Sequence, residues 1–185
     1  AERDVAQRLA NAEQALFSAA LTRGASVTVL RPTLVYGAGR DKTLTQIAAL
    51  AQRTGAFVLP SNATGLRQPV HVDDLASAAL AVIAQPTTQQ RRYAVGGGEA
   101  LAYTQMVERV LDALPRPARL YKVPPGLFGL ALAAAHCLGR LRGLNAAALQ
   151  RMREDLVFDL EPARRDFGYA PRAFRPLSEE LGIGE

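Results

Sequence analysis

Apolar residues recur at spacings of three and four at Val5, Leu9, Ala12, Leu16 and Ala20, forming one face of an amphipathic helix that Gly24 is placed to end. The pattern then changes. Val27-Thr28-Val29-Leu30 is β-branched and almost wholly apolar, as in a strand covered on both faces of a parallel sheet. Helix, short turn and buried strand make half of a βαβ crossover, and a parallel strand needs neighbours. Sequence before residue 1 is expected to supply them, so the chain is expected to be a fragment or to have been cut.

Further along, the pattern predicts a helix over Leu44 to Arg53, a short strand over Phe57 to Leu59 ended by Pro60, a turn cluster over Ser61 to Gly65, and an extended segment from Arg67 to Val72. Asp73 is placed to cap a helix from Asp74 to Ala84, which Pro86 stops. A strand over Arg92 to Val95 leads into the loop Gly96-Gly97-Gly98-Glu99. Thr104 is placed to cap an amphipathic helix to Leu114, Pro115 and Pro117 break the pattern, and Leu120 to Val123 is a short strand.

Gly126 to Leu141 is the most apolar helix, but its sixteen residues, with His136 and Arg140 among them, fall short of the ~20 a membrane span needs. It reads as a buried or partner-facing helix, with peripheral membrane contact as the lesser reading. Asn145 to Glu154 is a further helix. Asp159 to Tyr169 reads as an N-cap, a short helix with Pro162 near its start, and Gly168 close after its end. There is no internal repeat and no low-complexity linker.

Composition adds exclusions. With 185 residues, 49% hydrophobic and 21% charged, the chain can bury a core, and collagen-like, disordered and disulfide-rich classes are excluded. The one cysteine, Cys137, cannot form an internal disulfide, and with only His71 and His136 it assembles no Cys/His metal cluster. A reducing cytoplasm fits this usage, and residues 1–20 lack the pattern of a secretory signal. The net charge of +5 comes from twenty arginines with only Lys42 and Lys122 beside them. Arginine suits phosphates and carboxylates, so an anionic small molecule fits better than nucleic acid, for which there is no basic run interleaved with aromatics.

Five pieces in order, Ala12-Glu13 on its helix, VTVLRPTLVYG (27–37), LRQPVHVDDLASAAL (66–80), YAVGGGEALAYTQMVERV (93–110) and RRDFGYAPR (164–172), resemble the C-terminal half of an extended short-chain dehydrogenase/reductase of the NAD-dependent epimerase/dehydratase group. The resemblance implies an α/β fold: the C-terminal part of a doubly wound, Rossmann-like parallel sheet plus a smaller α/β substrate-binding region. Residues 1–40 would be the last helix and strand of the NAD(P)-binding domain, and 41–185 the substrate-binding region with interleaved Rossmann elements. It also implies NAD or NADP beside Leu30, Arg31, Pro32 and Thr33, and a small anionic substrate beside Tyr36, Gly37, Arg67 and His71. In sugar-nucleotide epimerases the arginine matching Arg67 contacts the diphosphate. The partners implied are that substrate, the missing N-terminal half and, within the family's range, a second copy in a homodimer.

Each residue also has a structural reading: an ion pair for Arg31, helix-start positions for Asp73 and Asp74, a satisfied strand histidine for His71. The family's GxxGxxG fingerprint and YxxxK dyad are absent from the chain. Gly37-Ala38-Gly39 would need a glycine at Lys42, and with Gly96-Gly97-Gly98 it reads as a turn that needs glycine. Ala38 stands four residues before Lys42, and Ala118 before Lys122. Aligned on Ala12-Glu13, Leu9 falls on the lysine and Val5 on the tyrosine, so the dyad is either lost or upstream of a displaced helix. In the family the tyrosine serves as general acid/base and the lysine lowers its pKa. No catalytic residue is therefore assigned, and the chain alone is expected to be inactive. Three functions remain: a parent epimerase, dehydratase or reductase acting on a nucleotide sugar or similar hydroxyl or keto compound; a non-catalytic dinucleotide binder similar to the complex I accessory subunit; and an assembly factor docking through residues 126–141.

Overall fold

The computed structural model describes residues 2–39, 41–137 and 146–183. The opening helix α1 (Glu2–Arg23) runs into β1 (Thr28–Pro32), with Gly24 in the left-handed region at φ 64° making the turn. β1 pairs in parallel with β6 (Arg91–Val95), Leu30 opposite Tyr93. Between them the chain crosses over through α3 (Val72–Ala84), so that β1, α3 and β6 form the right kind of unit for a parallel sheet. Ala78 of α3, Tyr93 and Val95 of β6, and Leu160, Ala163 and Tyr169 from around α7 (Glu161–Phe167) share one buried cluster.

A second, larger cluster lies between α2 (Leu44–Thr54), α4 (Tyr103–Asp112) and a parallel pair, β3 (Ala56–Pro60) with β8 (Arg119–Val123). Leu44, Ala48, Met106, Val107 and Val110 are fully buried there, at helical spacing on each helix. Two short ladders tie the clusters together: β2 (Val35–Tyr36) parallel to β5 (Val70–His71), and β4 (Leu66–Arg67) antiparallel to β7 (Leu101–Ala102). This is the α/β architecture of parallel pairs that the pattern implied.

Helix starts differ from expectation. α3 begins at Val72, and its cap is His71, whose Nδ1 accepts from the Asp73 N–H at 3.2 Å; Asp73 therefore lies within the first turn. α4 begins at Tyr103, with Gln105 Oε1 accepting the Ala102 N–H, so Thr104 is inside it. Asp159 Oδ1 accepts the Glu161 N–H, one residue outside the cap position, which is Leu160. In each case a side chain near the expected cap satisfies an orphan N–H from a neighbouring position. Gly96, Gly97 and Gly98 are not turn glycines with positive φ. They allow close approach: a Cβ on Gly97 would stand 1.8 Å from the Pro69 oxygen. The apolar helix α5 is Pro125–Cys137, and its expected extension to Leu141 lies outside the described residues, as does Asn145 before α6 (Ala146–Arg151).

Candidate functional site

Beyond the carboxyl end of β1 three segments converge. The Thr33 N–H donates to the Val95 oxygen at 3.3 Å and its hydroxyl donates to the Gln68 oxygen, while the Val70 N–H donates to Leu34 oxygen at 2.9 Å. Residues 30–37, 67–71 and 95–98 thus form one wall. Gln68, which sequence reasoning missed, is buried at its centre: Nε2 donates to Gly97 oxygen and Oε1 accepts the Phe158 N–H. Its place between Arg67 and Pro69 in an extended run gave no sign of this.

Tyr36 is buried and stands edge-on to His71 (centroids 5.1 Å apart) and Phe174 (4.9 Å). Burial, with the Glu180 charge adding to it, pushes its phenol up to about 12, so at neutral pH it is a neutral hydroxyl and not a base. Because His71 Nδ1 accepts from Asp73, the ring proton is assigned to Nε2, which donates to Glu180 Oε1 at 2.9 Å. Gly37, at φ 115°, lies against that ring. Glu180 belongs to the C-terminal segment, which also bonds the loop at Gly39 N–H and chelates Asp74 through Arg172 (Nε to Oδ1 3.0 Å). That last stretch of chain holds the loop and the histidine in place.

Arg31 forms a two-toothed pair with Glu13 of α1 (2.9 and 2.5 Å), and Arg92 of β6, stacked 4.2 Å over Phe17, donates to the same carboxylate at 3.0 Å. These bonds, Arg31's first, hold the Glu13 carboxyl below its ordinary pKa. Arg67 is buried, 5.2 Å over the Tyr103 ring. Its Nη1 donates to Leu66 and Glu154 oxygens (2.7 and 2.8 Å) and its Nη2 to Arg151 oxygen. Burial lowers its pKa below the ordinary arginine value, yet it remains a cation held by main-chain oxygens.

Leu30 and Thr33 are half-buried, whereas Arg31 and Pro32 are exposed. Leu9 and Val5, one and two turns before Glu13, are 62% and 55% exposed. Among the described residues no three His, Cys, Asp or Glu side chains are arranged to hold a metal. A shallow depression of about 260 Å³ lies elsewhere, between α3 and residues 167–171, and shares with the site only Asp74.

Residues 6–96 match the sequence profile described as the NAD dependent epimerase/dehydratase family. UDP-glucose 4-epimerase of Vibrio cholerae is 24% identical over 92% of this chain and 49% of its own length. The mitochondrial NADH dehydrogenase [ubiquinone] 1 alpha subcomplex subunit 9 of Dictyostelium discoideum is 27% identical over 50% of this chain and 26% of its own. A solved structure of RMD from Pseudomonas aeruginosa complexed with NADPH shares the fold, with TM-score 0.61, 16% identity, and coverage of 92% of this chain and 50% of that one. An α/β fold of parallel pairs, with a strand-to-loop wall formed by residues 30–37, 67–71 and 95–98, thus places the chain in an identifiable class. The class it resembles is the NAD-dependent epimerase/dehydratase family, whose profile covers 91 of its 185 residues and which has an epimerase among the chain's relatives. The chain spans half or less of the length of the curated relatives it matches.

Proposed function

We propose that the intact protein binds NAD or NADP along Leu30, Arg31, Pro32 and Thr33, with a small anionic hydroxyl or keto substrate of the nucleotide-sugar class beside Tyr36, Gly37, Arg67 and His71. Residues 1–40 then belong to the cofactor-binding domain and 41–185 to the substrate region, in a cytoplasmic protein. The observation carrying this reading is the convergence of 30–37, 67–71 and 95–98 beyond the carboxyl end of a parallel strand, where open α/β sheets hold ligands.

The residues fit one end of the dinucleotide. Exposed Arg31 and Pro32 leave a surface at the strand end for a planar ring, whereas the glycines here serve close packing and turns, with no cradle for a pyrophosphate. The bound cofactor would supply hydride transfer. The chain's own residues shape the wall: Gln68 fixes its three segments, neutral Tyr36 presents a hydroxyl environment without accepting a proton, and Arg67 contributes a positive field rather than a free two-toothed clamp. Binding of NADPH or NADH to the intact protein, with UDP-glucose competing against a fluorescent nucleotide-sugar analogue, tests it. Absence of both interactions removes the reading.

One observation favours the non-catalytic alternative. The Glu13 chelate with Arg31 and Arg92 fixes α1 in register on β1 and β6, which argues against a displaced helix and for Leu9 and Val5 standing where the family carries lysine and tyrosine. In this reading the protein binds a dinucleotide for stability or sensing, as an accessory or assembly protein of the superfamily. It predicts NAD(P)H binding with no turnover of nucleotide sugars; sustained NAD(P)H-dependent turnover contradicts it.

A further inference from the structure

The arginines are scattered along the chain, but the acids are not. Residues 113–153 contain seven Arg or Lys and no Asp or Glu, whereas the other 144 residues contain fifteen Arg or Lys against seventeen Asp or Glu. The net positive charge of the whole chain therefore arises in this one segment, and there it coincides with exposed apolar surface. The β3–β8 ribbon turns Leu59 into the core, with Phe57 and Leu120 packed against it. Its other face carries Val58 and Tyr121, opposite each other in register and 44% and 48% exposed. β8 then runs through Pro124 directly into α5, whose residues 125–137 include no Asp, Glu, Lys or Arg. α5 seats Leu132 inward, half-buries Phe128, and leaves Leu127 and Leu130 57% and 70% exposed. Arg116 and Arg119, at the other end of the same segment, are exposed and have no ion-pair partner among the described residues.

We propose that this β8–α5 face docks on an anionic lipid surface, with Tyr121, Leu127 and Leu130 entering the headgroup boundary and Arg116 and Arg119 meeting lipid phosphates. Exposed apolar side chains and unpaired cations carried on one continuous segment, with Arg119 two residues before Tyr121 on β8, supply the two signals that together give stable interfacial binding. No helix of the described residues is long and apolar enough to cross a membrane, so the face lies on the surface rather than spanning it. Nucleic acid is disfavoured because Tyr121 stands beside the aliphatic Leu127 and Leu130 on this face, short of the successive aromatic side chains on which bases stack. A second copy is disfavoured because it would bring two acid-free, cationic segments together.

The test is sedimentation of the full chain with vesicles of phosphatidylcholine alone and with roughly a third phosphatidylglycerol. Binding to the anionic vesicles only is expected, weakening as salt rises. Leu127→Ser/Leu130→Ser and Arg116→Glu/Arg119→Glu should each weaken it about tenfold or more, whereas Leu80→Ser/Ile83→Ser, changing exposed residues of α3, should leave it unchanged. All three variants replace exposed side chains, and unchanged melting curves confirm that the fold persists. Equal binding to neutral and anionic vesicles, unchanged binding in the first two variants, or preference for a DNA duplex overturns the proposal. So does a chain that ignores both vesicles and doubles its mass in light scattering.

Discussion

Gly37 and Gly97 require glycine for different reasons. At Gly37 the backbone is at φ 115°, and a Cβ would stand 2.5 Å from His71 Nε2. Gly37→Ala should cost about 1–3 kcal/mol in urea denaturation, part of it recovered by His71→Ala, which removes the clash. At Gly97 the obstacle is the rigid Pro69 carbonyl, so Gly97→Ala should cost about 3 kcal/mol or more, with no rescue from a side-chain deletion. The glycines were legible as residues with a backbone role; which role was not, because close approach is set by chain segments far apart in sequence. Arg31 and Arg67 teach the same lesson. Their charge and place in the motif could be read, but not that Glu13 lies one helix away from Arg31 or that three carbonyls surround Arg67. Three buried phenols, Tyr36, Tyr93 and Tyr169, are each raised from 10.0 to about 12, with burial the largest cause. A raised folded-state value keeps its stability below the unfolded pKa and loses it as pH rises through the folded one. Melting temperature should therefore fall between about pH 10 and 12, most steeply in the wild type and less in Tyr169→Phe.

At the scale of elements, acid-sensitive pairs join helices and strands. Glu13 holds α1 to β1 and β6, Glu99 joins Arg109 of α4 and the Phe174 N–H, and Asp166 accepts from Arg165 and Tyr93. All three carboxyls are held below their ordinary values by these bonds. Depressed carboxyl values add stability above the unfolded pKa, and that stability is lost as pH falls through the folded one. Melting temperature should drop below about pH 4, and Glu13→Gln should lessen the drop while making α1 more susceptible to limited proteolysis at neutral pH. The helices and the β1, β3, β6 and β8 strands were legible because periodicities of 3.6 and 2 and punctuation by Gly and Pro are local signals. Caps were misplaced by a residue or two because the side chains that satisfy the first N–H groups, His71, Gln105 and Asp159, reach them from neighbouring positions. The two-residue ladders β2–β5 and β4–β7 were unreadable as pairs, since their partners lie about 35 residues away in sequence.

Across the whole molecule, burial is uneven. α1 buries Phe17 and Ala20 but leaves Val5, Leu9, Leu16 and Leu21 more than half exposed, and among the described residues β1 pairs only with β6. A strand with an open edge and a helix with an uncovered apolar stripe are what a parallel α/β sheet shows where further elements would pack. A parallel βαβ arrangement was legible from order and periodicity and its Rossmann-like class from the resemblance, whereas the site's closed wall depended on long-range bonds such as Gln68 with Gly97 and Phe158. The central claim is that this wall belongs to a nicotinamide-dinucleotide protein. The most direct test is the melting temperature of the intact protein titrated with NADH and with NADPH. The account predicts a rise with at least one of them that grows with the logarithm of concentration above its Kd, equivalent to about 2.7 kcal/mol at a hundredfold excess over Kd. A melting temperature that neither dinucleotide shifts at any concentration would contradict it.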